Sequence, residues 1–356
     1  MNTLLLGRRI GWSTWRLRPT TVLLAVLLLG MAWAAQSGAV AVHGSDWLQL
    51  VGLGEPGGQQ GAAGGVYVLW NIRLPRVCFA VLVGASLGLA GALTQGLFRN
   101  PLADPGLLGV SAGAACAAAL TLVVFSGLSF PVPPSWRLWL LPAAAFAGAL
   151  GVCFTLDRIA RWVTPGSIAG LLLTGVALNA LAAAVIGLCT YLATDEQLRS
   201  LSFWTLGSVA GGNWTLVALL ALGLLFAGWR VRQLVRAMNA LALGESAAAH
   251  VGVDVAHLRS QIIVLVALLA GFAVAWCGMI GFIGLIAPHL VRLWVGADQR
   301  QVVPLSMLLG ALLLLLADSL ARTVAIPAEI PVGIFTALLG SPVFLLLLRG
   351  VRGRMG

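Results

Sequence analysis

The chain alternates between long apolar blocks and short polar connections. The blocks run to about 20 residues, the length that a helix needs to cross the hydrocarbon core of a bilayer. Because backbone N–H and C=O groups in lipid must be satisfied within the segment, these blocks are predicted to be helices. The alternation of apolar and polar residues that is typical of a membrane β-barrel is absent. Ten spans are predicted, beginning near Thr21, Val77, Leu107, Leu138, Ile168, Thr215, Gln261, Ile280, Val303 and Val332.

Composition agrees with a chain that lies mostly in lipid. Of the 356 residues, 60% are hydrophobic and 9% are charged, whereas a soluble domain carries about 25% charged residues. The net charge is +10, and each of the 21 basic residues is an arginine. Without lysine the chain cannot form a phosphate-binding P-loop, which requires Gly-Lys-Ser/Thr. We therefore predict that the chain has no catalytic site and that any ATP is bound by a partner subunit.

The arginines predict the orientation of the chain. A basic excess can indicate nucleic acid as a partner, but these arginines cluster at the ends of the apolar blocks, which fits the positive-inside rule. With both termini in the cytoplasm, only five of the 21 arginines face outward, namely Arg73, Arg76, Arg137, Arg199 and Arg322. The prediction is a multi-pass protein of the bacterial inner membrane that binds no nucleic acid.

An internal repeat predicts the architecture. A shift of 187 residues aligns Gly84 with Gly271, Gly91 with Gly278, Pro101 with Pro288, and Gly109 with Gly296. The two copies would begin on opposite sides of the membrane, so we predict one all-α domain over residues 1–356, built from two inverted repeats of five helices. This arrangement requires the first span, although Ala32-Trp33-Ala34 also resembles the cleavage site of a secretory signal.

The second span carries a strong signal for helix packing. Gly84, Gly88 and Gly91 recur every three or four residues, and small residues at that spacing let membrane helices approach closely. The span ends between residues 99 and 106 in two prolines and an asparagine, which cannot continue a regular helix. Broken backbone at membrane depth is tolerated only in protein or along a cavity. The three glycines are therefore candidates for a translocation path, and a similar interruption is predicted at residues 281–289.

Ionisable residues inside the spans are scarce. Asp318 lies toward the outer end of the ninth span, and Arg322 follows one helical turn later. A proton- or sodium-coupled carrier normally keeps carboxylates at mid-membrane, so their scarcity argues against such a carrier. The longest inner loop, residues 238–256, is too polar to span. It is either an idle connector or a docking helix for a cytoplasmic partner.

Five stretches together resemble the permeases of binding-protein-dependent ABC importers for ferric siderophores, haem and cobalamin. They are Arg73–Arg76, Gln95–Gly113, Leu243–Val253, Ile280–Arg292 and Ala317–Gly333. The resemblance covers nearly the whole chain after residue 65. It implies a homodimer of ten-helix subunits in the lipid bilayer, with two cytoplasmic ABC ATPase subunits below and a periplasmic binding protein above.

The resemblance also implies roles for individual residues. The outer arginines that pair with acidic residues of the binding protein would be Arg73, Arg76 and Arg322. The inner gate would lie at Ser167, Ile168 and Ala169. The loop that resembles the family's coupling helices, which receive motion from the ATPase, contains Leu243, Gly244, Glu245, Ala248 and Gly252.

Haem is the predicted substrate, and a ferric siderophore is the alternative. Leu171–Asn179 and the region from Thr190 to Ser208 are most similar to the haem importers. The family's cobalamin importers carry hydroxyl residues at the gate where this chain has Ile168 and Ala169, so cobalamin is disfavoured. No permanently bound cofactor or metal is predicted. His289 belongs to the family pattern whatever the substrate, and a passage must bind its cargo weakly enough to release it.

Arg199 is predicted to receive haem at the outer mouth. It lies just outside the fifth span, and a guanidinium can bind a propionate carboxylate through two parallel hydrogen bonds. The alternative is an ordinary interfacial arginine that pairs with Asp195 or Glu196, because exposed ion pairs are common and weak.

Overall fold

The computed structural model describes residues 19–38, 40, 42–50, 52, 62–125, 133–326 and 328–352. The arginines of the N-terminal segment, Arg354 and residues 51 and 53–61 of the glycine-rich outer loop lie outside these residues, as does the predicted placement of both termini. The described part of the chain is helical and contains no strand. Its α-helices are α1 (Pro19–Gln36), α2 (Gly44–Leu50), α3 (Ala62–Val68), α4 (Leu74–Phe98), α5 (Val110–Ala119), α6 (Pro134–Val163), α7 (Ile168–Leu192), α8 (Asp195–Leu206), α9 (Trp214–Ala242), α10 (Glu245–His250), α11 (Val255–Cys277), α12 (Ile283–Val295), α13 (Gln299–Ala321) and α14 (Val332–Arg352).

An apolar helix lies at each position where the sequence predicts a span. Among the described residues, 7 helices are long and apolar enough to cross a membrane. Three more are apolar but shorter, at Val110–Val124, Ile283–Val295 and Val332–Leu346. Two of the short helices, α5 and α12, directly follow a broken segment. The breaks therefore explain why these two helices fall below the length of a full span.

Helix α4 forms the centre of the bundle. It packs against α9, α11, α12 and α13. Of its most apolar stretch of 18 residues, 83% is buried inside the protein. The helix ends at Phe98, and the following residue, Arg99, adopts a left-handed conformation with φ 49°. The following residues form turns and one short 3₁₀ segment, Pro105–Leu108, before α5 begins. The predicted interruption after the second span is thus confirmed.

The helix pairs that pack together follow the order of the internal repeat. In chain order α4, α5, α6 and α7 correspond to α11, α12, α13 and α14, although the shift of 187 residues aligns only α4 with its counterpart. In the bundle α4 packs on α13 as α11 packs on α6, and α5 packs on α6 as α12 packs on α13. The contacts of α7 with α5 and α6 are likewise matched by those of α14 with α12 and α13.

Two regions differ from the sequence-based prediction. The glycine-rich connection between His43 and Arg76, which composition predicts to be a flexible and solvated loop, contains α2, α3 and a π-helical turn. Gly65 of α3 leaves room for the buried carboxylate of Asp46, so the two short helices pack together. The second interruption lies at residues 278–282, before α12, while Pro288 lies inside the helix.

Candidate functional site: the two ends of the helix bundle

A network of charges connects the predicted outer ends of α4 and α13. Arg76 Nη2 lies 2.8 Å from Asp318 Oδ1, and Arg76 Nε donates to the same carboxylate at 3.2 Å. Arg76 Nη1 donates to both carboxylate oxygens of Glu329 at 2.9 Å. The Asp318 side chain is 1% exposed and that of Glu329 is 49% exposed. Arg76 thus joins an interior carboxylate to one at the surface.

The other two predicted docking arginines bind the end of α1. Arg73 Nη1 donates to the carbonyl oxygens of Ala35 at 3.0 Å and Gln36 at 2.7 Å. Arg322 Nη2 donates to the carbonyl oxygen of Ala34, and its Nε lies 3.7 Å from Asp318. The last carbonyls of a helix have no partner within the helix and carry partial negative charge. The two guanidinium groups satisfy them and anchor the end of α1.

This arrangement changes the interpretation of the predicted docking surface. Arg73 is 4% exposed and Arg322 is 7% exposed, so both point into the protein instead of forming a surface for a partner. The Arg76 side chain stays partly exposed to solvent next to Glu329. Glu329 was given no role by sequence reasoning. The available signal was a single carboxylate in the mostly apolar segment that follows Asp318 and Arg322.

The structure assigns the three glycines of α4 to helix packing instead of to the wall of a path. All three are buried within the subunit. A Cβ atom on Gly84 would collide with the backbone oxygen of Gly310, and one on Gly91 would collide with that of Gly284. Gly88 meets the backbone of Ser306 in the same way. The spacing correctly predicts close approach, but that spacing cannot distinguish a neighbouring helix from an open passage.

Polar side chains join the two broken segments. Gln95 Nε2 donates to the carbonyl oxygen of Leu285 at 3.0 Å, and Arg292 Nε donates to Gln95 Oε1 at 3.2 Å. His289 is buried, and its Nδ1 lies 3.2 Å from the carbonyl oxygen of Pro101. His289, on α12, thus contacts the backbone of the break that follows α4.

A short helix, α10, lies at the predicted inner end, within the loop of residues 238–256. It is bounded by Gly244 (φ 119°) and Gly252 (φ 85°), both in backbone conformations that favour glycine. Ala248 is fully buried, whereas Leu243 is 81% exposed and Val251 is 71% exposed. The loop is therefore an ordered element that packs on α9 and α11 with one side. Its apolar residues at both ends are available to a partner.

The predicted gate residues lie where α7 begins. Ser167 is the N-terminal cap of α7, and its hydroxyl accepts a hydrogen bond from the Gly170 N–H at 3.0 Å. Ile168 is partly buried and Ala169 is exposed. The three residues therefore lie at the predicted inner end of α7, next to the polar turn that connects it to α6. Their role in a gate stays a prediction.

Arg199 lies in the first half of α8, a short helix that Thr194 and Gln197 cap through reciprocal hydrogen bonds. Its side chain is exposed. Among the described residues, no ion pair links Arg199 to Asp195 or Glu196. The structure thus leaves the guanidinium free of the local pair that the alternative interpretation requires.

Comparison with known proteins identifies the family. The profile of the FecCD transport family matches residues 22–350. The chain belongs to the FecCD transport family. It is 46% identical over 298 residues to the hemin transport system permease protein HmuU of Yersinia pestis, covering 81% of this chain and 85% of that protein. It is 42% identical over 283 residues to the vitamin B12 import system permease protein BtuC of Vibrio cholerae, covering 79% and 82%.

A solved structure shares the fold of this FecCD protein. It is an ABC transporter of the metal-chelate type in an inward-facing conformation, with a TM-score of 0.78 and 32% sequence identity. The alignment covers 93% of this chain and 98% of the solved one. The chain is thus an integral membrane permease of the ABC importers, as the sequence motifs predict.

Proposed function

We propose that this FecCD permease moves haem from the periplasm to the cytoplasm. Haem is preferred as the substrate on one observation. The hemin permease of Yersinia pestis is 46% identical to this chain, whereas the vitamin B12 permease of Vibrio cholerae is 42% identical. The apolar pair Ile168 and Ala169 at the start of α7 supports it, because haem is a wide apolar disc. Arg199, in α8 just beyond the other end of α7, would orient the haem propionates.

The proposed assembly is a homodimer of ten-helix subunits in the inner membrane, with both termini in the cytoplasm. Helix α7 is the proposed contact with the second copy, because only 17% of its most apolar stretch of 18 residues is buried within this subunit. Its exposed residues include Leu173, Val176, Leu181 and Leu188. They follow one another at helical spacing, which is typical of a face that packs against another helix.

Two cytoplasmic ATPase subunits are the proposed source of energy. Leu243 and Val251, at the ends of α10, are large apolar residues that are mostly exposed at the predicted cytoplasmic side. Exposed apolar residues next to an ordered polar helix fit a protein interface. ATP would bind to those partners, and this chain would supply the coupling helix and the path.

A periplasmic haem-binding protein is the proposed partner at the outer end. Arg76 is the docking arginine that the geometry favours, because Arg73 and Arg322 are occupied by the end of α1. The pair between Arg76 and the half-exposed Glu329 would open, and an acidic group of the partner would replace Glu329. Arg73 and Arg322 would contribute to docking by fixing α1 and the outer end of α13.

The test is stimulation of ATP hydrolysis in the purified complex of permease and ATPase. The periplasmic binding protein encoded with this permease is added empty, loaded with hemin, or loaded with a ferric siderophore. We expect the hemin-loaded protein to stimulate hydrolysis most. Stimulation by the siderophore-loaded protein alone would support the alternative, ferric-siderophore import by the same mechanism, which the 32% identity to a metal-chelate transporter favours.

A further inference from the structure

A single buried guanidinium joins the coupling helix to the turn before the predicted gate. Arg259, near the start of α11, is 7% exposed. Its Nη2 lies 3.0 Å from Glu245 Oε1, on the first residue of α10. The same nitrogen donates to the carbonyl oxygen of Gly166 at 3.3 Å, in the connection between α6 and α7. Three separate elements therefore meet at one side chain.

The turn that Arg259 contacts is firmly attached to α7. The Ser167 N–H donates to the carbonyl oxygen of Thr164 at 3.1 Å. Gly166 has φ 79° and follows a proline, which is the pattern of a type II turn. Ser167 then caps α7 through Gly170. A displacement of the Gly166 carbonyl would consequently move the first turn of α7, where Ile168 and Ala169 lie.

The environment of Arg259 differs from that of an ordinary surface ion pair. Its Nε is buried and has no hydrogen-bond partner. Leaving a buried donor without a partner is costly, so the guanidinium gains from any movement that brings an acceptor to Nε. By contrast, the neighbouring pair of Arg161 and Asp157 joins residues of one helix, and the arginine is 47% exposed. Within the described part of the chain, Arg161 bonds only to Asp157, so this arginine does not link α6 to α10.

We propose that Arg259 is the positioning residue that carries movement of α10 to the inner gate. The inference rests on the proposed function, in which α10 receives motion from the ATPase and residues Ser167–Ala169 form the gate. When α10 shifts, Glu245 draws the guanidinium with it. Arg259 then pulls or releases the Gly166 carbonyl and so repositions the start of α7. Glu245 acts through Arg259, and neither residue needs to touch the substrate.

The experiment measures how nucleotide changes the exposure of the gate. Ala169→Cys is introduced into the permease–ATPase complex, and its reaction with a membrane-impermeant maleimide is followed with and without ATP plus vanadate. The parent protein gives the background from the five native cysteines. The test variants are Arg259→Met and Glu245→Gln, and the matched control is Arg161→Met. ATP hydrolysis is recorded for each complex.

We expect nucleotide to change the labelling rate in the Ala169→Cys reference and in the Arg161→Met control. In both test variants that change should shrink by about fivefold or more, the lower end of typical coupling between two sites. The comparison uses complexes that still hydrolyse ATP. A full response in both test variants would overturn the role of Arg259 and leave the proposed function intact. If Arg259→Met fails to assemble, Glu245→Gln decides alone. A reference that does not respond to nucleotide would refute the gate assignment, and the inference with it.

Discussion

Arg76 and Asp318 lie 242 residues apart in the chain and meet with an Nη2–Oδ1 distance of 2.8 Å. Their side chains are 11% and 1% exposed, so the pair belongs to the interior. Asp318 also receives Arg322, which binds the end of α1. In a protein with few charges, this cluster holds three helices together at the predicted outer end.

Removing the Asp318 carboxylate should destabilise the protein strongly. Asp318→Asn leaves Arg76 and Arg322 without their shared interior counter-charge, and breaking a buried ion pair costs about 3–5 kcal/mol. Glu329→Gln is the matched control, because its carboxylate is half exposed and such a pair contributes about 1 kcal/mol or less. Thermal unfolding in detergent compares the two. Equal midpoints for both variants would contradict the interior role of Asp318.

Docking of the binding protein should respond in opposite directions to changes at Arg76 and Glu329. Arg76→Glu should weaken binding, since it places a negative charge where an acidic partner group is expected. Glu329→Gln should strengthen it, because Arg76 no longer has a competing carboxylate. Affinity is measured at low salt, where long-range pairing is least screened. Weaker binding by Glu329→Gln would show that Glu329 itself supports docking.

The glycines that bound α10 should be needed for coupling. Gly244→Val and Gly252→Val force a β-branched residue into positive φ, at a strain of about 1–3 kcal/mol per site. We expect the complex to assemble and hemin uptake to fall. Gly228→Val is the control, because that glycine lies in a regular helix with open space around its Cβ position. Normal uptake with both α10 glycines replaced would exclude α10 as the coupler.

Arg199 should matter for haem entry and not for stability. Its exposed side chain has no ion pair with Asp195 or Glu196, so Arg199→Ala should leave the thermal midpoint unchanged. Hemin uptake should fall in the order Arg199→Lys, Arg199→Ala, Arg199→Glu, because lysine keeps the charge but loses the two-pronged geometry. Uptake by Arg199→Glu at the parent rate would reduce the residue to a local structural role.

Hydrophobic patterning was sufficient to predict the apolar helices, since each apolar block forms one, but it did not predict the short helices α2, α3 and α8. The breaks were partly predictable. The prolines after α4 end that helix, but Pro288 lies inside α12 and the second break occurs at residues 278–282. A proline alone does not show whether neighbouring groups donate a hydrogen bond to the carbonyl oxygen that it leaves without a partner. Phe282, which has φ 66° at the actual break, is not a residue type that signals such a conformation.

The candidate sites were predictable as residues but not as contacts. Spacing identified Gly84, Gly88 and Gly91, yet only the packed helices show that they face α12 and α13. The outward arginines were found from charge distribution, but Arg73 and Arg322 turn inward to helix carbonyls that sequence cannot locate. Arg259 was counted only among the inward charges. Its partners, Glu245 and Gly166, lie 14 and 93 residues away.

ATP-driven uptake into proteoliposomes measures which substrate this permease carries. The permease is reconstituted with its ATPase, and the periplasmic binding protein is supplied on the outside with hemin, a ferric siderophore or cyanocobalamin. We predict accumulation of hemin that requires ATP inside the vesicles and is lost when either partner is omitted. Accumulation of cyanocobalamin or the siderophore without hemin, under the same conditions, would contradict it.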